Sequence, residues 1–317
     1  MDHLLFSLNS TVPIFLVMVL GYFLKQINML GPQFVKDSNA LNYNAALPAL
    51  LFLDISTADI RDKWDTSYVL FCAIATTIAF FSIWGIAKLL IKDKSIIGSF
   101  VQASFRSSAA ILGVAFIQNM YGTSGMAPLM IIGTVPLFNV YSVLVLTFEA
   151  NSTQSDTNIG HKIKSSLINI AKNPIILSIV VGLVFSLSGI TLPVMITKTV
   201  KSVSSLATPM ALIALGAGFE GRKALAKIKP TIFASLIKLV ILPAIFIPFA
   251  SMFGFGDEKL VALLIMLASP TTVSSYIMAE NMDNDGTLAS SVIVLTTFLS
   301  AFTLTGWIFL LRSMGLI

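Results

Sequence analysis

Three stretches of this chain, 68–87, 127–148 and 288–311, run without a single charged residue. A helix needs about 20 consecutive apolar residues to cross the hydrocarbon of a bilayer, and only helices and closed barrels can satisfy their own backbone there. A barrel would show alternating segments of about ten residues, whereas these runs are continuous. The expected fold class is therefore an all-α integral membrane protein. Composition agrees, because 56% of the 317 residues are hydrophobic and only 11% are charged, too apolar for the surface of a soluble domain. The absence of a basic region or small-residue cleavage site before Lys25 predicts that the first hydrophobic stretch is a retained helix, not a signal peptide.

Ten hydrophobic segments can be counted, at about 5–25, 38–54, 67–88, 96–120, 126–149, 173–192, 200–219, 231–253, 259–280 and 287–311. Twelve Lys and Arg fall in loops after segments 1, 3, 5, 7 and 9; the other side carries six, namely Arg61, Lys63, Lys198, Lys201, Lys259 and Arg312. The side richer in Lys and Arg is cytoplasmic, so both termini are expected outside the cytoplasm, in a multi-pass protein of the cell's inner membrane. The net charge of +5 is this orientation signal and does not point to nucleic acid.

Helix-breaking prolines recur at matching places. Leu47-Pro48-Ala49 returns 161 residues later as Thr208-Pro209-Met210, and the same offset carries Val19-Leu20-Gly21 onto Val180-Val181-Gly182; at 162, Asn119-Met120 falls on Asn281-Met282. Similar offsets at the start, middle and end of each half predict a duplicated unit of five segments. An odd number of crossings makes the second unit enter from the opposite face, giving inverted repeats. The units are 1–149 and 173–317, joined by a cytoplasmic linker, 150–172. In that linker Ile163, Leu167 and Ile170 sit at helical spacing beside Lys162 and Lys164, which suits either a short helix on the lipid surface or a solvated connection.

Arg106 lies within segment four, flanked by Ser104, Ser107 and Ser108. A charge in hydrocarbon costs at least about 2.5 kcal/mol and needs a partner, a cavity or the headgroups. One reading is a guanidinium facing a polar cavity and gripping a carboxylate through two parallel hydrogen bonds; the other is a snorkelling or carbonyl-bound side chain. Segment nine holds Ala268-Ser269-Pro270-Thr271-Thr272-Val273-Ser274-Ser275-Tyr276. Pro270 cannot donate to residue 266, and a helix broken at depth offers free amides to an anion and free carbonyls to a cation. The bland alternative is a packed proline kink. Asn42 and Asn44 before Pro48, and Asn139 in segment five, are candidates for the same cavity or for bonds between helices. Gly216 and Gly218 suit close packing. Lys238 in segment eight is read as a snorkelling side chain.

Several functions are excluded by what is missing. Asp54, Glu149 and Glu280 stand at segment ends, so no mid-membrane carboxylate relay is visible. The one cysteine, Cys72, and the two histidines, His3 and His161, cannot build a metal cluster, and there is no phosphate-binding Gly-Lys-Thr/Ser loop. No enzyme activity and no cofactor are expected, and coupling to H+ or Na+ is left open.

The order and spacing of Ala46-Leu47-Pro48-Ala49-Leu50-Leu51-Phe52, Phe105-Arg106 with Leu112-Gly113, Asn173-Pro174, Leu242-Pro243 and Ala268-Ser269-Pro270 resemble the auxin efflux carrier family, in its bacterial malate/malonate permease branch. The likeness covers the whole chain. It implies segments 1, 2, 6 and 7 as a scaffold, and segments 3–5 and 8–10 as a transport domain in which broken segments 4 and 9 cross at the substrate. It also implies transport of an organic anion by alternating access. Where the family has Asn after the arginine and Pro after the glycine, this chain has Ser107, Ser108, Val114 and Ala115, so its first break lacks a proline. The substrate residues expected are Arg106, Ser107, Ser108, Pro270, Thr271, Thr272, Ser274, Asn42, Asn44 and Asn139. The expected partners are a small carboxylate and the lipid bilayer, with a homodimer left open. The runner-up is a carrier of amino acids or other metabolites, and behind it a membrane receptor or channel.

Overall fold

The computed structural model describes residues 2–57, 65–109, 117, 120–121, 126–150, 167–189 and 192–317; among these, regular structure is helical and no strand occurs. The helices are α1 (Asp2–Gln26), α2 (Pro32–Leu41), α3 (Leu47–Ser56), α4 (Thr66–Leu90), α5 (Ile97–Phe105), α6 (Ala127–Phe148), α7 (Pro174–Ser188), α8 (Val194–Ser204), α9 (Ala207–Gly218), α10 (Gly221–Ala226), α11 (Ile228–Leu236), α12 (Leu242–Met252), α13 (Asp257–Ala268), α14 (Ser274–Asn281) and α15 (Gly286–Ser313). Five stretches among the described residues are helical, long and apolar enough to cross a membrane: Thr66–Leu90, Ala127–Phe148, Val194–Gly218, Ile228–Met252 and Gly286–Ser313. On α4, Leu70, Ile74, Ile78 and Phe81 are each about half exposed; at this spacing they form one outward apolar stripe, as a lipid-facing helix requires.

Helix starts follow the sequence. Asp65 caps α4 by accepting from the Tyr68 amide at 3.1 Å, and Asp285 caps α15 from Leu288 at 2.8 Å. Asn173 caps α7 from Ile175 at 2.9 Å, with Pro174 in the first-turn position where its missing N–H is no loss. Two wide turns with i to i−5 bonding, Asn42–Ala46 and Ile237–Ile241, each immediately precede a Leu-Pro pair, Leu47-Pro48 and Leu242-Pro243. Proline lacks a donor and its ring crowds the carbonyl four residues back, and a π turn relieves both without breaking the rod. Segment two thus stays helical from Pro32 to Ser56. Segment seven also runs on as one helical stretch, α8 passing into α9 through a tighter turn at Ser205 and Leu206, whose backbones stay in the helical region, two residues before Thr208-Pro209. In the linker, residues 167–172 are helical, while 151–166, including Ile163, lie outside the described residues, as do Leu112, Gly113, Val114 and Ala115.

Packing sorts the helices into neighbours. The most extensive contacts join α1 to α9, α3 to α7 and α4 to α6; α5 touches α4, α6, α11 and α15, and α12 lies on α13. The α1–α9 contact is backbone against backbone. A Cβ on Gly21 would come within 2.9 Å of the Ile213 Cα, and one on Gly216 within 3.0 Å of the Tyr22 amide nitrogen. Small residues at a helix contact give this close approach, which is the main source of attraction where lipid removes the hydrophobic one.

Candidate functional site

Within segment four helix α5 stops at Phe105, and within segment nine helix α13 stops at Ala268; the backbone turns extended at both places, Arg106 at φ −78°, ψ 135° and Ser269 at φ −70°, ψ 156°. Pro270 accounts for the second break, because the residue before a proline is driven out of the helical region. The first break has no proline and is held by tertiary bonds. The Ser108 amide donates to the Pro270 carbonyl at 2.9 Å, tying one interruption to the other. Thr271 Oγ1 donates to the Ala103 carbonyl at 2.7 Å, and Ser107 Oγ donates to that of Met266. Lys238 Nζ donates to the Leu267 carbonyl at 2.6 Å, to those of Phe105 and Met266 at 3.4 Å, and to Ser107 Oγ. The last carbonyls of a helix have no partner within it; here each half-helix end is satisfied by groups reached through the other or through segment eight.

Beside this crossing lies a cavity of about 150 Å³ lined by Arg106, Ser107, Ser108, Asn139, Thr272 and Ser274, with Asp54 and Thr208 among its further polar residues. Leu47, Leu50 and Leu51 of α3, Val135 and Phe138 of α6, and Ala211 of α9 supply apolar wall. The volume is below the roughly 300–1,000 Å³ of drug-sized sites, which restricts an occupant to a small solute. Arg106 is 5% exposed. Its Nη2 donates to Asn139 Oδ1 at 2.6 Å and its Nη1 to Met278 Sδ. Asn139 is itself aimed by its amide, which donates to Val135 O at 2.8 Å on its own helix. A guanidinium has five N–H donors, and among the described residues only two are engaged by protein.

The start of α14 lines the same cavity. The amides of Thr272, Val273 and Ser274 have no carbonyl partner among the described residues, while those of Ser275 and Tyr276 close the first turn onto Thr272 and Val273. Free amides at a helix start carry about half a positive charge and suit an anion. Thr272 Oγ1 and Ser274 Oγ lie 3.2 Å apart at this edge.

The structure thus brings Arg106, Ser107, Ser108, Asn139, Thr272 and Ser274 to one cavity and sends the other four candidates elsewhere. Thr271 is 2% exposed, with its hydroxyl on Ala103 and its amide accepted by Thr296 Oγ1 at 3.2 Å. Pro270 contributes its carbonyl to the crossing. Asn42 is fully buried and donates to the Ala207 carbonyl of α9 at 2.7 Å; Asn44 is exposed and bonds Ala40 of its own helix at 2.8 Å. Two residues were underrated in the sequence. Asp54, placed at a segment end, lines the cavity. Lys238, read as snorkelling, has no exposed surface at all; the π turn at Ile237–Ile241 displaces the helix register there, and a charged residue four before a Leu-Pro was the only available signal.

Outside the cavity lining, Asp65 accepts from Lys259 Nζ at 2.6 Å and from Ser67 at 2.6 Å, and these partners hold its carboxyl well below the usual range. Lys227 bridges Asp285 at 2.9 Å and Asp93 at 3.5 Å; burial pulls its pKa down, but the two carboxylates outweigh burial and leave it raised.

A multi-pass helical bundle whose interrupted segments brace each other beside an arginine-bearing polar cavity has the features of a membrane transport protein. The chain matches the model of the membrane transport protein family over residues 6–308 and belongs to that family, the auxin efflux carriers. An uncharacterized transporter of Methanothermobacter thermautotrophicus is 23% identical over 95% of this chain and 97% of its own length. The uncharacterized transporter YfdV of Escherichia coli (strain K12) is 23% identical over 98% of this chain and 99% of its own. A protein of Rhizobium meliloti (strain 1021) that carries the name "Putative malonate transporter" is 25% identical over 95% of each chain.

Proposed function

We propose that this protein is a secondary active transporter of a small organic anion, a malonate- or malate-like carboxylate, working by alternating access. The observation that carries the reading is the presence, on one small cavity, of both the partly unengaged Arg106 fork and the free amides at the start of α14. Two parallel guanidinium bonds fix one carboxylate, and helix-end amides with Thr272 and Ser274 hydroxyls receive another. Leu47, Leu50 and Phe138 enclose a short carbon chain between them. Ser107 and Ser108 sit beside the guanidinium; Thr271, Pro270, Asn42 and Asn44 act outside the contact shell, as braces or surface groups.

In this reading the chain crosses the inner membrane ten times as two inverted five-helix units, with both termini outside the cytoplasm. Segments 1, 2, 6 and 7 form the scaffold and the rest the moving domain. The cavity walls support that division, since α3 and α9 face it from one group and α6 and the two breaks from the other. The name of the Rhizobium relative supports malonate as the first substrate to try.

Asp54 on the same cavity wall favours a second reading, an amino acid, whose ammonium would meet Asp54 while its carboxylate meets Arg106. Uptake of labelled malonate into proteoliposomes, challenged with unlabelled dicarboxylates and amino acids, separates the two. Saturable malonate uptake, blocked by dicarboxylates and lost in Arg106→Ala, is the expected result. Saturable uptake that is unchanged in Arg106→Ala removes the arginine from the site, and competition by amino acids alone transfers the assignment to them.

A further inference from the structure

We infer that the Lys238 ammonium is the resident cation of the helix crossing, standing where a bound metal ion would otherwise have to neutralise two converging carbonyl ends. Its four oxygen partners all belong to the breaks: Phe105 O and Ser107 Oγ from segment four, Met266 O and Leu267 O from segment nine. Each helix C-terminus carries about −0.5 of an elementary charge, so two of them sum to about −1, which one ammonium balances. No carboxylate forms an ion pair with Lys238 among the described residues, and with none of its surface exposed the side chain has no route to headgroups. A buried ammonium without an acid partner is stable only where other negative charge surrounds it, and here that charge is supplied by peptide dipoles.

An array of carbonyls and a hydroxyl at the ends of broken helices is also how a protein without an acid would hold Na+. Lys238 fills that array with a cation that cannot leave. It is therefore a positioning residue: it fixes the angle at which the two half-helices meet, and so where Arg106 and the α14 amides stand. The consequence for energy coupling, that no sodium ion is needed at the crossing, rests on the transporter reading; the occupancy itself does not.

The test measures thermal unfolding of the purified protein in sodium chloride and in choline chloride at equal ionic strength, for the wild type, Lys238→Met, which keeps length without charge, and Lys238→Ser, which opens a polar space. The wild type is expected to melt identically in the two salts. Lys238→Met should melt several degrees lower in both. Lys238→Ser should be low in choline and regain several degrees in sodium. A wild-type midpoint raised by sodium, a Lys238→Met midpoint equal to wild type, or a Lys238→Ser midpoint indifferent to sodium overturns the inference. If neither neutral variant can be purified, Lys238→Arg decides: recovery supports a required charge, and loss shows that shape alone mattered and overturns it. No substrate enters these measurements, so they stand or fall apart from the carboxylate assignment. In parallel, wild-type malonate uptake should persist when choline replaces sodium, and an absolute sodium requirement counts against the inference.

Discussion

Arg106→Lys tests whether the proposed carboxylate site works by shape or only by charge. Arginine and lysine carry the same charge, but only the guanidinium presents a planar fork that meets both carboxylate oxygens. In the structure the fork is held by Asn139 at 2.6 Å and by Met278, and its other three N–H groups have no protein partner among the described residues. Lysine in its place can offer one strong bond in the same direction, and it loses the planar seat on Asn139. A hydrogen bond to a charged group is worth about 1.5–3 kcal/mol. At about 1.4 kcal/mol per factor of ten, the loss of one weakens binding by about 10- to 150-fold. The assay is the initial rate of labelled malonate uptake into proteoliposomes over a range of concentrations, with thermal unfolding as the control for folding. The expected outcome is a KM raised by that factor, with Arg106→Gln, which also removes the charge, affected more strongly. A well-folded Arg106→Lys protein with KM within twofold of wild type refutes the bidentate grip.

Thr271→Val removes the donor to the Ala103 carbonyl while keeping volume, and should lower stability by about 1–2 kcal/mol and slow transport, with little change in substrate competition; chemical denaturation and uptake check the two parts. Gly216→Ala places a methyl against the Met18 and Tyr22 backbone and should cost about 1–3 kcal/mol through overpacking, whereas Gly85→Ala, whose added Cβ would meet nothing within 4 Å, should be close to neutral in the same melting experiment. Asp65→Ala removes a helix cap, worth about 1 kcal/mol. Because the folded carboxyl is held below its unfolded pKa of about 3.9, its stabilisation is fully present above that pH. It is lost only as pH falls through the lower folded value, so wild type and Asp65→Ala should differ at pH 7 and converge in strong acid.

Much of the fold was legible because lipid leaves a backbone few choices. The charge-free run 127–148 coincides with helix α6, and Pro270 marked the second break through a local clash that any reader of the sequence can see. Arg106 was legible for a similar reason, since a charge at that depth requires a cavity or a partner. The proline-free first break was harder, because it is stabilised by Thr271, Ser107 and Lys238, whose partners lie between 28 and 168 residues away along the chain. Among hydroxyls in one motif, Thr271 braces the crossing while Thr272 and Ser274 line the cavity, a division that composition does not encode.

The sequence alone determined that this protein is a helical membrane protein, that Pro270 interrupts segment nine and which family of carriers it resembles, because segment length, charge and proline act through local bonds and the cost of dehydration. Tertiary structure decided which polar groups line the cavity and which hold the two breaks together, since a side chain's partner is fixed by what packs beside it, not by its neighbours in the chain. Lys238 shows the difference: the same residue would snorkel on an isolated helix, and it becomes the counter-charge of two helix ends only because segments four, eight and nine converge on it.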